Sequence, residues 1–301
     1  MPGCRALFDY GVTSPVRHTA ESPAPPRTVV AQVTRVLAAA GVPSPRTDAE
    51  LLTAFVLGVP RARLLLAPDL TAAQATRLNE LVAARARRVP LQHLTGTAAF
   101  RHIELAVGPG VFIPRPETEL LAGMGVQAAA SDAIVVDLCS GSGAIALAVA
   151  HEVPTARVYA VERSTGALPW LHRNAALARK SGGRPVTVVA GDATDPATLH
   201  GLDGRVDVVL CNPPYVPDAT AVPPEVASYD PAEAVFGGPD GLEVIRGVID
   251  RAAALLRPGG FLGIEHDDTH TGLLRGDPRF TSAQDHVDLA GRPRFATARR
   301  R

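Results

Sequence analysis

Four consecutive residues, Asn212-Pro213-Pro214-Tyr215, carry the clearest chemical signal in the sequence. They follow an apolar run, residues 206–211, that is typical of a buried parallel strand. Two prolines end the strand and stiffen the chain after it, because neither has a backbone N–H. The Asn212 side-chain oxygen and the Pro213 carbonyl are then two fixed acceptors for both hydrogens of one –NH2 group. Tyr215 adds a flat face for a planar amide or base, although a plain strand-ending turn is an alternative interpretation.

A second motif, Asp137-Leu138-Cys139-Ser140-Gly141-Ser142-Gly143, joins a predicted strand at 134–139 to a predicted helix at 143–151. Its glycines allow a tight turn, and the helix start offers free N–H groups to an anion. The spacing is not G-x-G-x-x-G, so a dinucleotide pyrophosphate fits poorly. A carboxylate, such as that of a methionine moiety, fits better.

Acidic residues stand at the ends of the next two predicted strands. Glu162 ends a strand at 157–162, where an acid can bind both ribose hydroxyls, and Asp192 follows a strand at 185–190, where it can receive an adenine amino group. Taken singly, Glu162 is also readable as a solvated strand end and Asp192 as a turn residue. Together with Asp137 they make three acids at successive strand ends, which favours an adenosine-type cofactor.

The elements that hold these motifs alternate between strand and helix from residue 134 onward. This alternation predicts an open, mostly parallel α/β sheet with ligands at the carboxyl ends of its strands. The last two predicted strands, at 283–288 and 294–298, have no strong helix between them and indicate an antiparallel edge.

The first part of the chain has a different character. Residues 1–26 are rich in Pro, Ser, Thr and Ala and predict a disordered tail. Residues 27–95 predict a small helical domain, with capping-box signatures at Thr47 and Thr71. Arg85, Arg87 and Arg88 close its third helix, and we expect a solvated helix end there rather than a docking site.

A connector follows the helical domain. Residues 96–113 predict a β-hairpin linker, and Pro114 and Pro116 then bracket polar side chains in the stretch 113–119. These polar residues are more than a linker requires.

Composition limits the classes of function. Lys and Arg number 30 and Asp and Glu number 30, so the net charge is zero, which argues against a surface built for duplex nucleic acid. We expect no membrane span and no secretory signal. Three widely spaced cysteines indicate a reduced cytosol. His266 and His270 invite a metal interpretation, but a loop beside a cofactor pocket is favoured, and no metal is predicted.

Six stretches resemble the release factor glutamine N5-methyltransferases (HemK/PrmC family) of the class I S-adenosylmethionine-dependent methyltransferases. The stretches, in family order, are 90–96, 112–119, 137–143, 212–215, 234–242 and 288–292. Asn-Pro-Pro-Tyr alone is shared with DNA adenine and rRNA guanine methyltransferases. The stretch 113–119 and the helical domain narrow the resemblance to protein glutamine methylation.

The resemblance implies an α/β fold: a seven-stranded Rossmann-like class I methyltransferase sheet, a small N-terminal all-α domain and a β-hairpin linker. The implied domains are a tail at 1–26, a helical substrate-recognition domain at 27–95, the linker at 96–113, and an S-adenosylmethionine-dependent methyltransferase domain at 114–301.

The resemblance also implies the site. Asn212, Pro213 and Tyr215 are the expected catalytic residues, and with Pro214 they form the expected substrate-binding set. The expected S-adenosyl-L-methionine-binding residues are Cys139, Ser140, Gly141, Ser142 and Gly143 around the methionine end, Glu162 at the ribose, Asp192 and Ala193 at the adenine, and Asn212.

Three positions depart from the family pattern. Cys139 stands where many members have glycine, and Ala193 stands where an aromatic residue often covers the adenine. Asp230 precedes Pro231 where glutamate is usual. Cys139 and Cys211 end neighbouring strands, so their thiols could approach each other, although two small buried fillers are the favoured interpretation.

The expected activity is methylation of the glutamine side-chain amide nitrogen in the Gly-Gly-Gln motif of peptide chain release factors. We expect a cytoplasmic monomer with no membrane and no direct nucleic-acid contact. One alternative is a glutamine methyltransferase for a ribosomal protein. A nucleic-acid adenine or guanine N-methyltransferase would need a basic groove and stacking aromatics, yet aromatics are 4% of the chain. A non-catalytic remnant would show damaged motifs, and both motifs are intact.

Overall fold

The computed structural model describes residues 25–301. The predicted disordered tail, 1–26, lies outside the described residues except for Pro25 and Pro26. The chain divides into two compact units between Thr95 and Gly96. No helix within the described range combines the length and apolar character that a membrane crossing requires.

The first unit consists of helices around a core of aliphatic side chains. Leu37, Leu52 and Leu78 are among its most completely buried residues. The helices are α1 (Pro26–Ala39), α2 (Pro45–Leu57), a 3-10 helix (Arg61–Leu66), α3 (Ala72–Ala86) and α4 (Leu91–Thr95).

One of the two predicted capping boxes is present. Gln74 N donates to Thr71 Oγ1 at 3.3 Å, and Thr71 N donates to Gln74 Oε1 at 2.9 Å, so the prediction at α3 is confirmed. The predicted cap at Thr47 is wrong. Helix α2 begins two residues earlier at Pro45, because a proline at the first helical position already has helical φ and loses no hydrogen bond.

The predicted solvated end of α3 is also wrong in part. Arg85 is only 6% exposed, and its Nε donates to Asp48 Oδ2 on α2 at 2.7 Å. Its Nη1 donates to the Val89 carbonyl at 3.1 Å. Arg87 is exposed as expected. A residue of the predicted surface cluster therefore forms a buried ion pair that joins two helices.

We predict that Arg85→Met destabilises the helical unit by about 3 kcal/mol, because it leaves the Asp48 carboxylate buried without its partner. Arg77→Met, which removes the exposed pair of Arg77 with Glu80, is the matched control and changes stability by less than about 0.5 kcal/mol. Urea unfolding of the full chain measures both losses, and hydrogen exchange of α2 and α3 locates them. Equal effects of the two substitutions would contradict the prediction.

The second unit contains a hairpin and an α/β sheet. Strands β1 (Thr97–Phe100) and β2 (Ile103–Ala106) pair antiparallel, from Thr97 opposite Ala106 to Phe100 opposite Ile103. The sheet strands are β3 (Ile134–Leu138), β4 (Arg157–Glu162), β5 (Val186–Ala190), β6 (Val206–Cys211), β7 (Leu256–Glu265), β8 (Phe280–Val287) and β9 (Pro293–Arg300). The helices are α5 (Thr118–Ala128), α6 (Ala144–Glu152), α7 (Leu168–Lys180), α8 (Pro224–Tyr229), α9 (Ala232–Val235) and α10 (Glu243–Leu255), with a 3-10 turn at His200–Leu202.

The seven strands lie in the order β5-β4-β3-β6-β7-β9-β8. The first five are parallel, while β9 is antiparallel to both β7 and β8. The expected fold class and its antiparallel edge are confirmed. The strand order reverses between β3 and β6, which is where an open α/β sheet forms its ligand crevice.

Helices cover both faces of the sheet. Side chains of α5, α6 and α7 form one buried layer, and α10 contributes to the other. Helix α5 approaches β6 closely, because a Cβ on Gly125 would stand 2.3 Å from Leu210 Cδ1. This approach places the first residue of α5, Thr118, near the carboxyl ends of the strands.

Candidate active site

A pocket opens at the carboxyl ends of β3, β4 and β6, where the strand order reverses. It contains most of the predicted site residues: Cys139, Ser140, Gly141, Ser142, Glu162, Asp192, Ala193, Asn212 and Pro214. Gly143, Pro213 and Tyr215 lie beside the pocket rather than in its lining. Leu138 pairs with Cys211 across β3 and β6, so the glycine turn and Asn212 leave the sheet side by side.

The turn after β3 has left-handed backbone at three residues: Cys139 (φ 61°), Gly141 (φ 56°) and Gly143 (φ 88°). Cys139 carries a side chain in a region that costs an L-residue roughly 1–2 kcal/mol, which explains why glycine suits this position. A Cβ on Gly143 would stand 2.6 Å from Leu171 Cδ1, whereas one on Gly141 meets no heavy atom within 4 Å. Gly143 therefore serves helix packing, and Gly141 leaves open space at the pocket.

Glu162 is buried and holds the turn in place. Its Oε2 accepts from Gly141 N at 2.7 Å, and its Oε1 accepts from Arg163 N at 2.9 Å and Ser164 N at 2.7 Å. An ionised carboxylate has about four acceptor sites, so one remains for a ligand hydroxyl.

Asp192 is similarly engaged. Its Oδ1 accepts from Thr194 N at 2.8 Å and Thr194 Oγ1 at 2.7 Å, and Arg163 Nη1 donates to its Oδ2 at 3.0 Å. Burial opposes ionisation, but these hydrogen bonds outweigh it and lower the pKa of Asp192. The carboxylate is ionised at neutral pH, and its remaining acceptor site is on Oδ2.

Cys139 follows β3 and Cys211 ends the neighbouring strand β6. Burial raises the pKa of the Cys211 thiol well above its usual range, and the Cys139 thiol adds to this effect. Both are free thiols, with Cys211 fully buried and Cys139 lining the pocket. The interpretation of two buried fillers thus fits Cys211 better than Cys139.

Asn212 belongs to a buried polar cluster that the sequence prediction missed in part. Asn212 Nδ2 donates to Thr118 Oγ1 at 3.2 Å, and Thr118 Oγ1 donates to Glu265 Oε2 at 2.8 Å. Tyr215 Oη donates to Glu265 Oε1 at 2.9 Å. Glu265 ends β7 as Glu162 ends β4. An acid at the end of an apolar strand was therefore the sequence pattern that could have identified Glu265 as a site residue. Thr118 lies in the proline-bracketed stretch whose polar residues needed an explanation.

The same stretch is fixed to the loop after β6. Arg115 forms an ion pair with the nearly fully buried side chain of Asp230, and its guanidinium lies 4.8 Å from the centroid of the Phe112 ring. Burial raises the pKa of Asp230 although Arg115 opposes this effect. Asp230, which stands where glutamate is usual in the family, therefore keeps a carboxylate that pairs with Arg115.

The histidines after β7 do not form a metal site with other residues described in the structure, since no group of three possible ligands occurs there. His266 is fully buried, and its Nδ1 lies 2.8 Å from the Asp267 carbonyl. Burial lowers the pKa of His266.

The sheet order and the crevice between β3 and β6 define the class I methyltransferase fold, whose methyl donor is S-adenosylmethionine. Residues 28–96 match the model of the PrmC N-terminal domain, and residues 116–227 match that of the methyltransferase small domain.

Curated relatives narrow the class. A release factor glutamine methyltransferase of Mycolicibacterium smegmatis is 52% identical over 91% of this chain and 97% of its own length. Its counterpart in Streptomyces coelicolor is 50% identical over 90% and 96% of the two chains, and that of Deinococcus radiodurans is 38% identical over 91% and 98%. The chain belongs to the release factor glutamine methyltransferase family.

We predict that alanine substitutions distinguish the packing role of Gly143 from the ligand-binding role of Gly141. Gly143→Ala lowers the stability of the fold by about 1–3 kcal/mol, because its Cβ clashes with Leu171 at a left-handed φ. Gly141→Ala has the smaller effect on stability but weakens S-adenosylmethionine binding, since Gly141 lines the pocket. Thermal unfolding and calorimetric titration measure these effects, and the reverse pattern would contradict the assignment.

A third residue of the turn motif makes stability depend on pH. Asp137 is 0% exposed, and burial raises its pKa to about 7 although Ala146 N donates to its Oδ2 at 3.1 Å. The folded state thus binds the proton more tightly than the unfolded state, so stability falls as pH rises from the unfolded pKa toward 7.

We predict that the wild type loses about 3 kcal/mol of unfolding free energy relative to Asp137→Asn between pH 5 and pH 8. Only the difference between the two proteins is used, because other titrating groups contribute equally to both. Chemical denaturation at several pH values measures it, and parallel curves for the two proteins would refute the prediction.

Proposed function

We propose that this chain transfers the methyl group of S-adenosylmethionine to the side-chain amide nitrogen of the glutamine in the Gly-Gly-Gln motif of peptide chain release factors. The family relationship supports this substrate, since relatives with this name match over 97% and 96% of their lengths. The site supports the chemistry, because an acceptor for an –NH2 group shares its pocket with the cofactor turn.

The cofactor-binding residues fit an adenosine-type ligand. Cys139, Ser140, Gly141, Ser142 and Gly143 form the turn proposed to surround its methionine end, and Gly141 leaves space where a side chain would project. Bound S-adenosylmethionine supplies an electrophilic methyl group on its sulfonium sulfur.

The adenosine end has its own partners. Glu162 keeps one acceptor site for a ribose hydroxyl and Asp192 keeps one for the adenine amino group. Ala193 offers a small apolar surface beside the adenine instead of an aromatic ring.

The substrate residues act on a poor nucleophile, because the lone pair of an amide nitrogen is delocalised into its carbonyl. Asn212 Oδ1 and the Pro213 carbonyl accept one N–H bond each, which orients the nitrogen and favours the positive charge that develops on it. The single observation that carries this assignment is that, within residues 25–301, neither oxygen receives a hydrogen bond.

Tyr215 gives the substrate amide a fixed surface. Its hydroxyl is held by Glu265, and the Arg294 guanidinium lies 5.7 Å from the centroid of its ring. Burial and the nearby Glu265 carboxylate raise the pKa of Tyr215, so it remains a neutral hydrogen-bond donor. We assign to it the packing of the amide plane rather than proton transfer.

We also assign the remaining parts of the chain. Residues 27–95 recognise the release factor, 96–113 link the two units, and 114–301 perform the transfer. The chain works as a monomer in the cytoplasm and does not contact nucleic acid directly, a proposal supported by its zero net charge.

We predict that Asn212→Ala lowers the rate of methyl transfer at least about 100-fold, since it removes an acceptor needed in the transition state. S-adenosylmethionine affinity remains measurable, because the glycine turn and Glu162 are unchanged. The enzyme and labelled cofactor are incubated in separate reactions with release factor, with ribosomal proteins and with DNA.

Label on the release factor, and its absence when the motif glutamine is replaced by alanine, supports the proposed substrate. Label on ribosomal protein alone, or on DNA alone, would show that this molecule is the substrate and that the release factor is not. Near-normal turnover of Asn212→Ala would show that the –NH2 group is held elsewhere.

A further inference from the structure

We propose that Thr118 and Glu265 are positioning residues for methyl transfer, which together fix the orientation of the Asn212 side-chain amide. The Glu265 carboxylate sets the direction of the Thr118 hydroxyl, and this hydroxyl holds the amide with its oxygen toward the substrate. The inference rests on the proposed function and adds a role for Thr118, which lines the pocket, and for Glu265, which is fully buried.

The three side chains come from three separate elements. Glu265 ends β7 and is 0% exposed, Thr118 begins α5 and is 3% exposed, and Asn212 follows β6 at the pocket. The distances are 2.8 Å from Thr118 Oγ1 to Glu265 Oε2 and 3.2 Å from Asn212 Nδ2 to Thr118 Oγ1.

When Glu265 is ionised, the hydrogen bonds that join Asn212, Thr118 and Glu265 can have only one donor-to-acceptor direction. An ionised carboxylate only accepts, so Thr118 must donate its single hydroxyl hydrogen to Glu265. The hydroxyl then presents lone pairs to Asn212, and only the –NH2 side of the amide can meet them. Asn212 Oδ1 is consequently turned away from Thr118 and is available to the substrate.

The opposite orientation of Asn212 would be unproductive. If Thr118 donated to Asn212 Oδ1, the Asn212 –NH2 group would face the –NH2 group of the glutamine, donor against donor. The substrate nitrogen would lose one of the two acceptors that orient it. An asparagine amide has no intrinsic preference between these orientations, so its neighbours must supply one.

The second oxygen of Glu265 is occupied in a way that supports this role. Tyr215 Oη donates to Oε1 at 2.9 Å, and Tyr215 is a neutral donor. The carboxylate therefore receives one hydroxyl hydrogen on each oxygen. The buried Glu265 carboxylate thus connects Thr118, which holds the Asn212 amide, with Tyr215, which is expected to contact the substrate.

The proposal predicts a pH dependence. The titratable and charged groups around Glu265 are Cys211 at the end of β6, Tyr215 after it, Glu117 before α5 and Arg294 on β9. Burial raises the pKa of Glu265 to about 7, with Glu117 adding to this effect and Thr118, Tyr215 and Arg294 opposing it. Below this pH the protonated acid can donate to Thr118, which frees the Thr118 hydrogen to turn toward Asn212 Oδ1.

The test is the single-turnover rate of methyl transfer to release factor, measured with saturating cofactor and substrate from pH 6 to pH 8.5. In the wild type, we expect the rate to rise about tenfold through pH 7. Thr118→Val retains the shape of the side chain but removes the hydroxyl, and it lowers the rate about 100-fold at pH 8.

Three further variants separate positioning from folding. Thr118→Ser restores the rate to within about threefold of the wild type, because it restores the hydroxyl. Glu265→Gln loses the rise near pH 7. Thr297→Val is the matched control, since Thr297 is also a buried threonine, lies on β9 outside the pocket lining with its hydroxyl 2.7 Å from His286 Nε2, and its replacement leaves the rate unchanged. Cofactor affinity stays within about threefold in all of them.

The outcomes distinguish this inference from the proposed function. If the wild type methylates the glutamine but Thr118→Val matches it, or if the wild-type rate is flat across pH 7, the positioning role is wrong and the function stands. If Thr118→Val does not fold, the wild-type pH profile and its change in Glu265→Gln decide. If the wild type labels no glutamine in any release factor, the proposed function itself fails.

Discussion

The parallel pairing of β3 with β6 is the constraint on which the site depends. Because Leu138 lies opposite Cys211, the glycine turn and Asn212 leave the sheet next to each other, although they are more than 60 residues apart in sequence. Both strands are buried along nearly their whole length, and α5, α6 and α10 cover their two faces. A slip of one residue in this register would reverse which side chains face each helical layer. The close placement of the glycine turn and Asn212 is thus enforced by the hydrophobic core rather than by the polar residues themselves.

The charged groups around this edge divide according to their partners. Glu162 and Asp192 each receive three hydrogen bonds from the protein, and these bonds hold them in place beside the pocket. Asp137 and Glu265 are fully buried, and burial raises the pKa of each to about 7. Burial of an acid at such a position costs stability, so a structural purpose alone would be served better by an apolar residue. This cost is the reason to look for a role of Glu265 in the reaction, as in other sites where buried acids have shifted pKa values.

Much of the fold followed from local patterns in the sequence. The alternation of apolar runs with helical periodicity predicted the parallel sheet, and strands β4 and β6 begin and end where expected. Errors arose where a tertiary contact or a proline overrode the local signal. Arg85 looked like a solvated helix end because its partner, Asp48, lies 37 positions earlier. Helix α2 begins at Pro45 rather than after Thr47, because the proline starts the helix. The pocket residues that were predicted each end or follow a strand, whereas the contact of Thr118 with Glu265 spans 147 positions and leaves no local trace.

That contact also explains why two motifs that look independent in sequence occur together. The stretch 113–119 supplies Arg115 to the Asp230 carboxylate and Thr118 to the Asn212 amide, so it holds the loop after β6 at both of its ends. Asn-Pro-Pro-Tyr provides stiff acceptors for any –NH2 group, but its asparagine needs a neighbour that decides which side of the amide faces the ligand. In this chain the neighbour is a threonine whose own hydrogen is committed to a buried acid. The stretch that narrowed the family resemblance from bases to a side-chain amide is therefore also the one that contacts Asn212.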